Sequence, residues 1–147
     1  MIFDRTQSDI DAALSVRKKL QSGYDLTDEE IEVLEKGTFT VNTISRILNK
    51  QQELKTLLNE MGYYGIKINI PSGDIFDIED FRALVENADS LKKGFFVFVY
   101  TPNSPQLKYH FSNINDLEKI LFDVGEMVSL VKSKYRQCGM FACGEDA

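Results

Sequence analysis

The sequence predicts a helix-dominated α+β domain of about five amphipathic helices with a small antiparallel sheet. Three observations lead there. Helix-start residues recur at Thr6, Thr27, Thr40, Asp77 and Asn113, and each is followed by apolar residues at helical spacing. Between the later helices the period changes, and short stretches rich in β-branched and aromatic residues appear. The length of 147 residues fits one domain. It reads as a single domain over 1–147, with a helical part at 6–62, a mixed part at 63–139 and a turn-rich tail at 140–147.

Thr6-Gln7-Ser8-Asp9 opens the first helix, which carries Ile10, Ala13, Leu14 and Leu20 and ends at Gly23. Thr27-Asp28-Glu29-Glu30 has the form of a capping box: the Thr27 hydroxyl accepts from the Glu30 N–H, and the Glu30 carboxylate accepts from the Thr27 N–H. Leu26 is placed to staple onto Ile31, and Gly37 is a left-handed stop for a helix over 28–36. Three longer helices follow the caps Thr40, Asp77 and Asn113, which stand 37 and 36 residues apart. That spacing raises an internal repeat of about 36 residues as an alternative, but any two capped amphipathic helices share apolar positions at the same offsets, and no helical-repeat signature accompanies it. One face of each holds, in turn, Val41, Ile44, Ile47, Leu48, Gln51 and Leu54; Ile78, Phe81, Leu84, Val85, Ala88 and Leu91; and Ile114, Leu117, Ile120, Leu121, Val124 and Met127. Gln51 alone breaks the pattern. Phe39 and Phe76 precede their caps as staples to Ile44 and Phe81, and the helices end near Gly62, Gly94 and Gly139. The sheet is read from residues 63–70, which alternate and stop at Pro71, from 95–100, and from 106–111, with Thr101-Pro102-Asn103-Ser104-Pro105 as a turn.

Lys plus Arg number 17 against 23 Asp plus Glu, a net charge of −6. That balance argues against nucleic acid or an anionic membrane as partner. The basic groups at Arg17-Lys18-Lys19, Lys92-Lys93 and Lys132, Lys134, Arg136 fall in last helical turns, where cations complement the dipole. Cys138 and Cys143 are too few for a disulfide scaffold and read as free thiols. Asp4 and Asp9 do not suit a signal peptide, so synthesis in the cytoplasm is expected. The densest apolar run, Gly94 to Tyr100, has the length of a strand rather than a membrane span.

Phosphate-loop, dinucleotide, zinc-protease and serine-hydrolase signatures are missing. His110 lies between Tyr109 and Phe111 with no oriented acid or nucleophile beside it in sequence. Asp74, Asp77, Glu79 and Asp80 carry oxygens suited to a hard cation, but Asp77 and Asp80 have capping roles. No catalytic residue, cofactor or metal site is therefore assigned. The surplus is aromatic. Phe96, Phe98, Tyr100, Met140 and Phe141 are the candidate interface residues, because they exceed what a small sheet must bury.

Asp4-Arg5-Thr6-Gln7-Ser8-Asp9-Ile10-Asp11, Leu26-Thr27-Asp28-Glu29-Glu30 and Asn42-Thr43-Ile44-Ser45-Arg46-Ile47, running to Met61-Gly62-Tyr63, resemble a module of structural proteins of phages and prophages of Gram-positive bacteria. Asn115-Asp116-Leu117-Glu118-Lys119-Ile120-Leu121, with the Cys138-Gly139 and Cys143-Gly144 tail, is similar to the closing helix and tail of such modules. The chain departs from that pattern at Asn42-Thr43, at Ser45 and at the two cysteines. The resemblance implies a non-enzymatic tail, baseplate or tail-fibre component that self-associates as a homo-oligomer, docks on other phage structural proteins and is assembled into a virion or tail particle. A small cytoplasmic adaptor or inhibitor encoded by a mobile element is the alternative, favoured by the acidic balance.

Overall fold

The first four helices each begin after a residue whose side chain replaces a missing backbone acceptor. In the computed structural model, which describes residues 1–71, 76–108 and 110–140, these are α1 (Gln7–Gln21), α2 (Asp28–Gly37), α3 (Val41–Glu60) and α4 (Ile78–Gly94); α5 (Phe111–Met140) follows. Thr6 with Asp9, Thr27 with Glu30, Thr40 with Thr43 and Asp77 with Asp80 form reciprocal capping boxes. The fifth start differs from expectation. α5 begins at Phe111, and His110 takes the capping role predicted for Asn113: its carbonyl accepts from the Asn113 and Ile114 N–H groups, and its Nδ1 accepts from the Ser112 N–H at 3.3 Å.

α3, α4 and α5 pack on one another, while α1 packs on α2. Ile47, Leu54, Leu58, Phe81, Leu84, Leu91, Leu117, Ile120, Leu121 and Val124 are wholly buried between the three long helices. Each such side chain contributes about 1.5–3 kcal/mol relative to exposure, so this bundle dominates the hydrophobic stabilisation. The α1–α2 hairpin buries little. Ala13 is its only buried apolar side chain, and Leu14, Leu20, Ile31 and Val33 are exposed, so the predicted apolar face of α1 is only partly covered. Arg46 meets Glu118 at 2.8 Å and Glu60 meets Lys132 at 3.9 Å, so α3 and α5 run in the same direction.

The predicted antiparallel sheet is absent: the described residues contain no strand. The alternation is seen over 65–69, where buried Ile66 and half-buried Ile68 stand between exposed Gly65, Lys67 and Asn69, but the partner is a helix. Asn87 of α4 donates from Nδ2 to the Asn69 carbonyl and accepts from the Asn69 N–H at Oδ1, both at 2.8 Å, and Ser90 Oγ accepts from the Lys67 N–H. A carboxamide presents one donor and one acceptor as a neighbouring strand does, so these bonds replace a ladder. Gln51, the polar residue on the apolar face of α3, is buried for the same purpose. It donates to the Leu84 carbonyl at 2.8 Å and accepts from Asn87 Nδ2 at 2.9 Å. Phe95 leaves α4 extended and tucks against Tyr63, ring centroids 4.9 Å apart, and Val99 and Tyr100 then turn, the Thr101 N–H donating to the Phe98 carbonyl at 3.0 Å, so the expected strand over 95–100 does not form. Residues 106–108 turn into the His110 cap, and Tyr109 lies outside the described residues.

Two glycines are required for space and one for its backbone. A Cβ on Gly37 would stand 2.3 Å from the Asp9 carbonyl and 2.4 Å from the Ala13 Cβ, so Gly37 closes the α1–α2 packing rather than acting as the predicted left-handed stop. Gly94 leaves room for Ile66 in the same way. Gly62, at φ +96°, ends α3 and lets the Tyr63 N–H reach the Leu58 carbonyl at 2.9 Å.

Candidate interaction surface

The segment leaving α4 buries Phe95, half-buries Phe98 and exposes its other aromatic residues. Phe96 and Tyr100 are 64% and 67% exposed, Val99 is fully exposed, and Phe98 stacks on Tyr100 with parallel rings 5.0 Å apart. The segment is anchored to α5. Thr101 Oγ1 donates to the buried Asp123 carboxylate at 2.9 Å, whose other oxygen accepts from Lys119 at 2.5 Å. Lys92 donates to the Pro102 carbonyl at 2.6 Å. The Lys119 ammonium lies 5.2 Å from the Phe3 and Tyr100 ring centroids and 5.3 Å from that of Phe122, within cation–π range. The sequence-predicted Phe96, Phe98 and Tyr100 thus share one segment, and the fold adds Phe3, Phe122 and Lys119 to the neighbourhood. The Met140 side chain and Phe141 lie outside the described residues, as does Cys143.

Behind this surface lies a buried charge cluster. Glu118 is completely buried and accepts at one oxygen from Arg5 Nη2 at 2.9 Å and Arg46 Nη2 at 2.8 Å, and at the other from the Ile2 N–H. Arg5, also buried, donates in addition to the Lys36 carbonyl at 2.8 Å and to Asn115 Oδ1 at 3.2 Å. One guanidinium therefore ties the end of α2 to α5, and through Glu118 to α3. Arg5, Arg46, Asn115 and Glu118 come from three of the four stretches that carry the resemblance, yet sequence reading assigned none of them. A signal was present: Glu118 follows Ile114 by one helical turn and precedes Leu121, inside the apolar stripe.

α3 and α5 also enclose an open cleft of about 700 Å³, lined by Asn42, Arg46, Asn49, Glu53, Glu126 and Ser129 among others, with Phe122 joining it to the aromatic surface. It has the volume of a ligand site, but its lining is polar and open. His110 Nδ1 is 2.6 Å from Ser112 Oγ, and its ring lies 4.4 Å from that of Phe111, which is capping and packing geometry. Asp77 and Asp80 cap α4, Asp74 lies outside the described residues, and no group of three metal-ligating side chains occurs among the described residues. Among them, too, no helix is long and apolar enough to cross a membrane.

Among the described residues, four carboxyls depart from their ordinary values. Hydrogen bonds from the Thr6 backbone and hydroxyl, then Lys36, hold Asp9 low. Lys19 and then the Thr27 N–H do the same for Glu30. Lys93 and then Ser104 lower Asp89, whereas burial alone raises Asp116. No family model, curated protein or solved structure matches the chain.

Proposed function

We propose that this chain is a non-enzymatic structural component associated with a phage or prophage tail, acting through self-association and docking on other particle proteins. The exposed aromatic segment Phe96–Tyr100, pinned to α5 through Thr101 and Lys119, carries the reading. Interfaces draw most of their binding energy from a few large side chains held ready at their centre, aromatics foremost. An anchored segment presents Tyr100 and Phe98 with little ordering cost on contact. The protein is made in the cytoplasm and enters the particle by assembly. Mass spectrometry of tail particles purified from an induced lysogen tests this. A fixed copy number per particle is expected, and absence from particles while the protein is abundant in the same cells refutes it.

The polar α3–α5 cleft favours a second reading, a regulatory adaptor that takes one segment of a host protein. A strictly monomeric species that retains one discrete partner in pulldown would distinguish it.

A further inference from the structure

The extended segment 64–70 uses only half of its backbone. The Lys67 N–H donates to Ser90 Oγ at 3.3 Å, and both polar groups of Asn69 bond Asn87 at 2.8 Å. Successive peptide groups of an extended chain point to opposite edges. With Lys67 and Asn69 turned toward α4, the N–H and C=O groups of Ile68 and Ile70 turn outward. Neither residue's backbone has a hydrogen-bond partner among the described residues. Ile70 is 60% exposed, whereas Ile66, at 3%, is packed beneath Gly94. Pro71 has the parity of Lys67 and Asn69, so its missing N–H falls on the α4 side and takes no donor from the outward edge.

We propose that this edge pairs antiparallel with the same edge of a second copy, about a two-fold axis at Asn69. In that register the Ile68 N–H donates to the Ile70 carbonyl of the other copy, the Ile70 N–H donates to its Ile68 carbonyl, and the symmetry repeats both bonds. The edge selects its own register. Centring on Lys67 would pair the backbone of Ile66, whose side chain is packed beneath Gly94, with Ile68, and centring on Ile68 would pair it with Ile70, so either would draw the second copy over a covered residue. At the Asn69 axis two neutral carboxamides meet, Lys67 lies opposite Pro71, and the exposed Ile70 covers Ile68, so no like charges face each other despite a net charge of −6 per chain. A surface complementary to itself under a two-fold rotation is what a closed homodimer requires. The segment also carries a strand's alternation while the fold supplies no strand to satisfy it, and strand addition does so. This deepens the self-association reading above and names a surface for it separate from the aromatic segment.

Sedimentation velocity across a concentration series tests the pairing, with Ile70→Pro removing one outward donor at an exposed position already followed by extended chain, Ile70→Val retaining it, and Tyr100→Ser altering the aromatic surface. The wild type and Ile70→Val are expected to dimerise with rising concentration, and Ile70→Pro to weaken the dimer by about tenfold or more. Amide exchange on the wild type gives a second readout that needs no variant. Where nine-tenths of chains are paired, exchange at Ile68 and Ile70 should slow by about tenfold, while Lys67 and Asn69 stay protected at every concentration. A wild type that stays monomeric throughout, or exchange at Ile68 and Ile70 indifferent to concentration, overturns the pairing. If Tyr100→Ser abolishes association and Ile70→Pro does not, the edge is wrong and aromatic self-association stands; presence in particles is decided separately by their mass spectrometry.

Discussion

Replacing Glu118 by Leu should be the most damaging single change in the charge cluster. The carboxylate is fully buried, the Arg5 side chain is 2% exposed and that of Arg46 is 30% exposed. Removing the shared anion leaves Arg5 buried with only the Lys36 and Ile2 carbonyls and Asn115 as acceptors, whereas Arg46 can swing into the cleft. Breaking a buried pair from one side costs about 3–5 kcal/mol, which is a large part of the roughly 5–15 kcal/mol that holds a typical domain. Arg46→Met, with its guanidinium partly solvated, should cost about 1 kcal/mol. Arg5→Met combined with Glu118→Leu should recover much of the loss, with a coupling of about 2 kcal/mol or more, because no unpaired charge then stays inside. Urea denaturation at unchanged slope measures all four variants. Glu118→Leu within about 0.5 kcal/mol of wild type, or Arg46→Met as costly as Arg5→Met, would refute the assignment of Glu118 as the tie between the hairpin and the bundle.

Further consequences follow from the same geometry. Asn87→Leu should cost about 2–3 kcal/mol by leaving Gln51 Oε1 and the Asn69 backbone groups without partners, and amide exchange at Asn69 should quicken before that of α5. Gly37→Ala should cost about 1–3 kcal/mol because its Cβ has nowhere to go, while Gly65→Ala, which meets nothing within 4 Å, should be near neutral in the same melt. Acid should loosen the hairpin first. Asp9 and Glu30 have lowered folded values, so their contributions are present above the ordinary values of 3.8 and 4.5 and are lost as the pH falls below them. Asp116, raised by burial, has the opposite sign and opposes folding when ionised. Asp89 of α4, lowered by Lys93 and Ser104, carries the same sign as Asp9 and Glu30, so exchange of α1 and α2 amides between pH 5 and pH 3 is compared with that of α3 and α5, and equal acid sensitivity there would count against it.

Helix starts were legible because their chemistry is local. Thr27 and Glu30 meet across one turn whatever the rest of the chain does, and so do Asp77 and Asp80. His110 was harder to read, since a histidine cap depends on which way its ring turns. Apart from Ile78, which is exposed, the apolar stripes of α4 and α5 named residues of the core, because a long helix with one apolar face has one way to bury it. Of the interface candidates, Phe96 and Tyr100 proved exposed, while Phe95, equally aromatic in sequence, went inside. Neighbouring residues in an extended chain face opposite ways, and only the packing of Phe95 on Tyr63 chooses which way.

What the sequence determined by itself is the set of five helices, four of their caps and most of the faces that the three long helices bury, all governed by interactions spanning a few residues. The tertiary structure alone decided the rest. It turned the 63–70 alternation from a sheet strand into a ribbon on α4, gathered Arg5, Arg46 and Glu118 from distant stretches into one buried cluster, and put Lys119 among three rings. Alternation specifies a buried face and an exposed one, but the identity of the backbone's partner depends on what lies alongside, and here the carboxamide of Asn87 arrives in place of a strand.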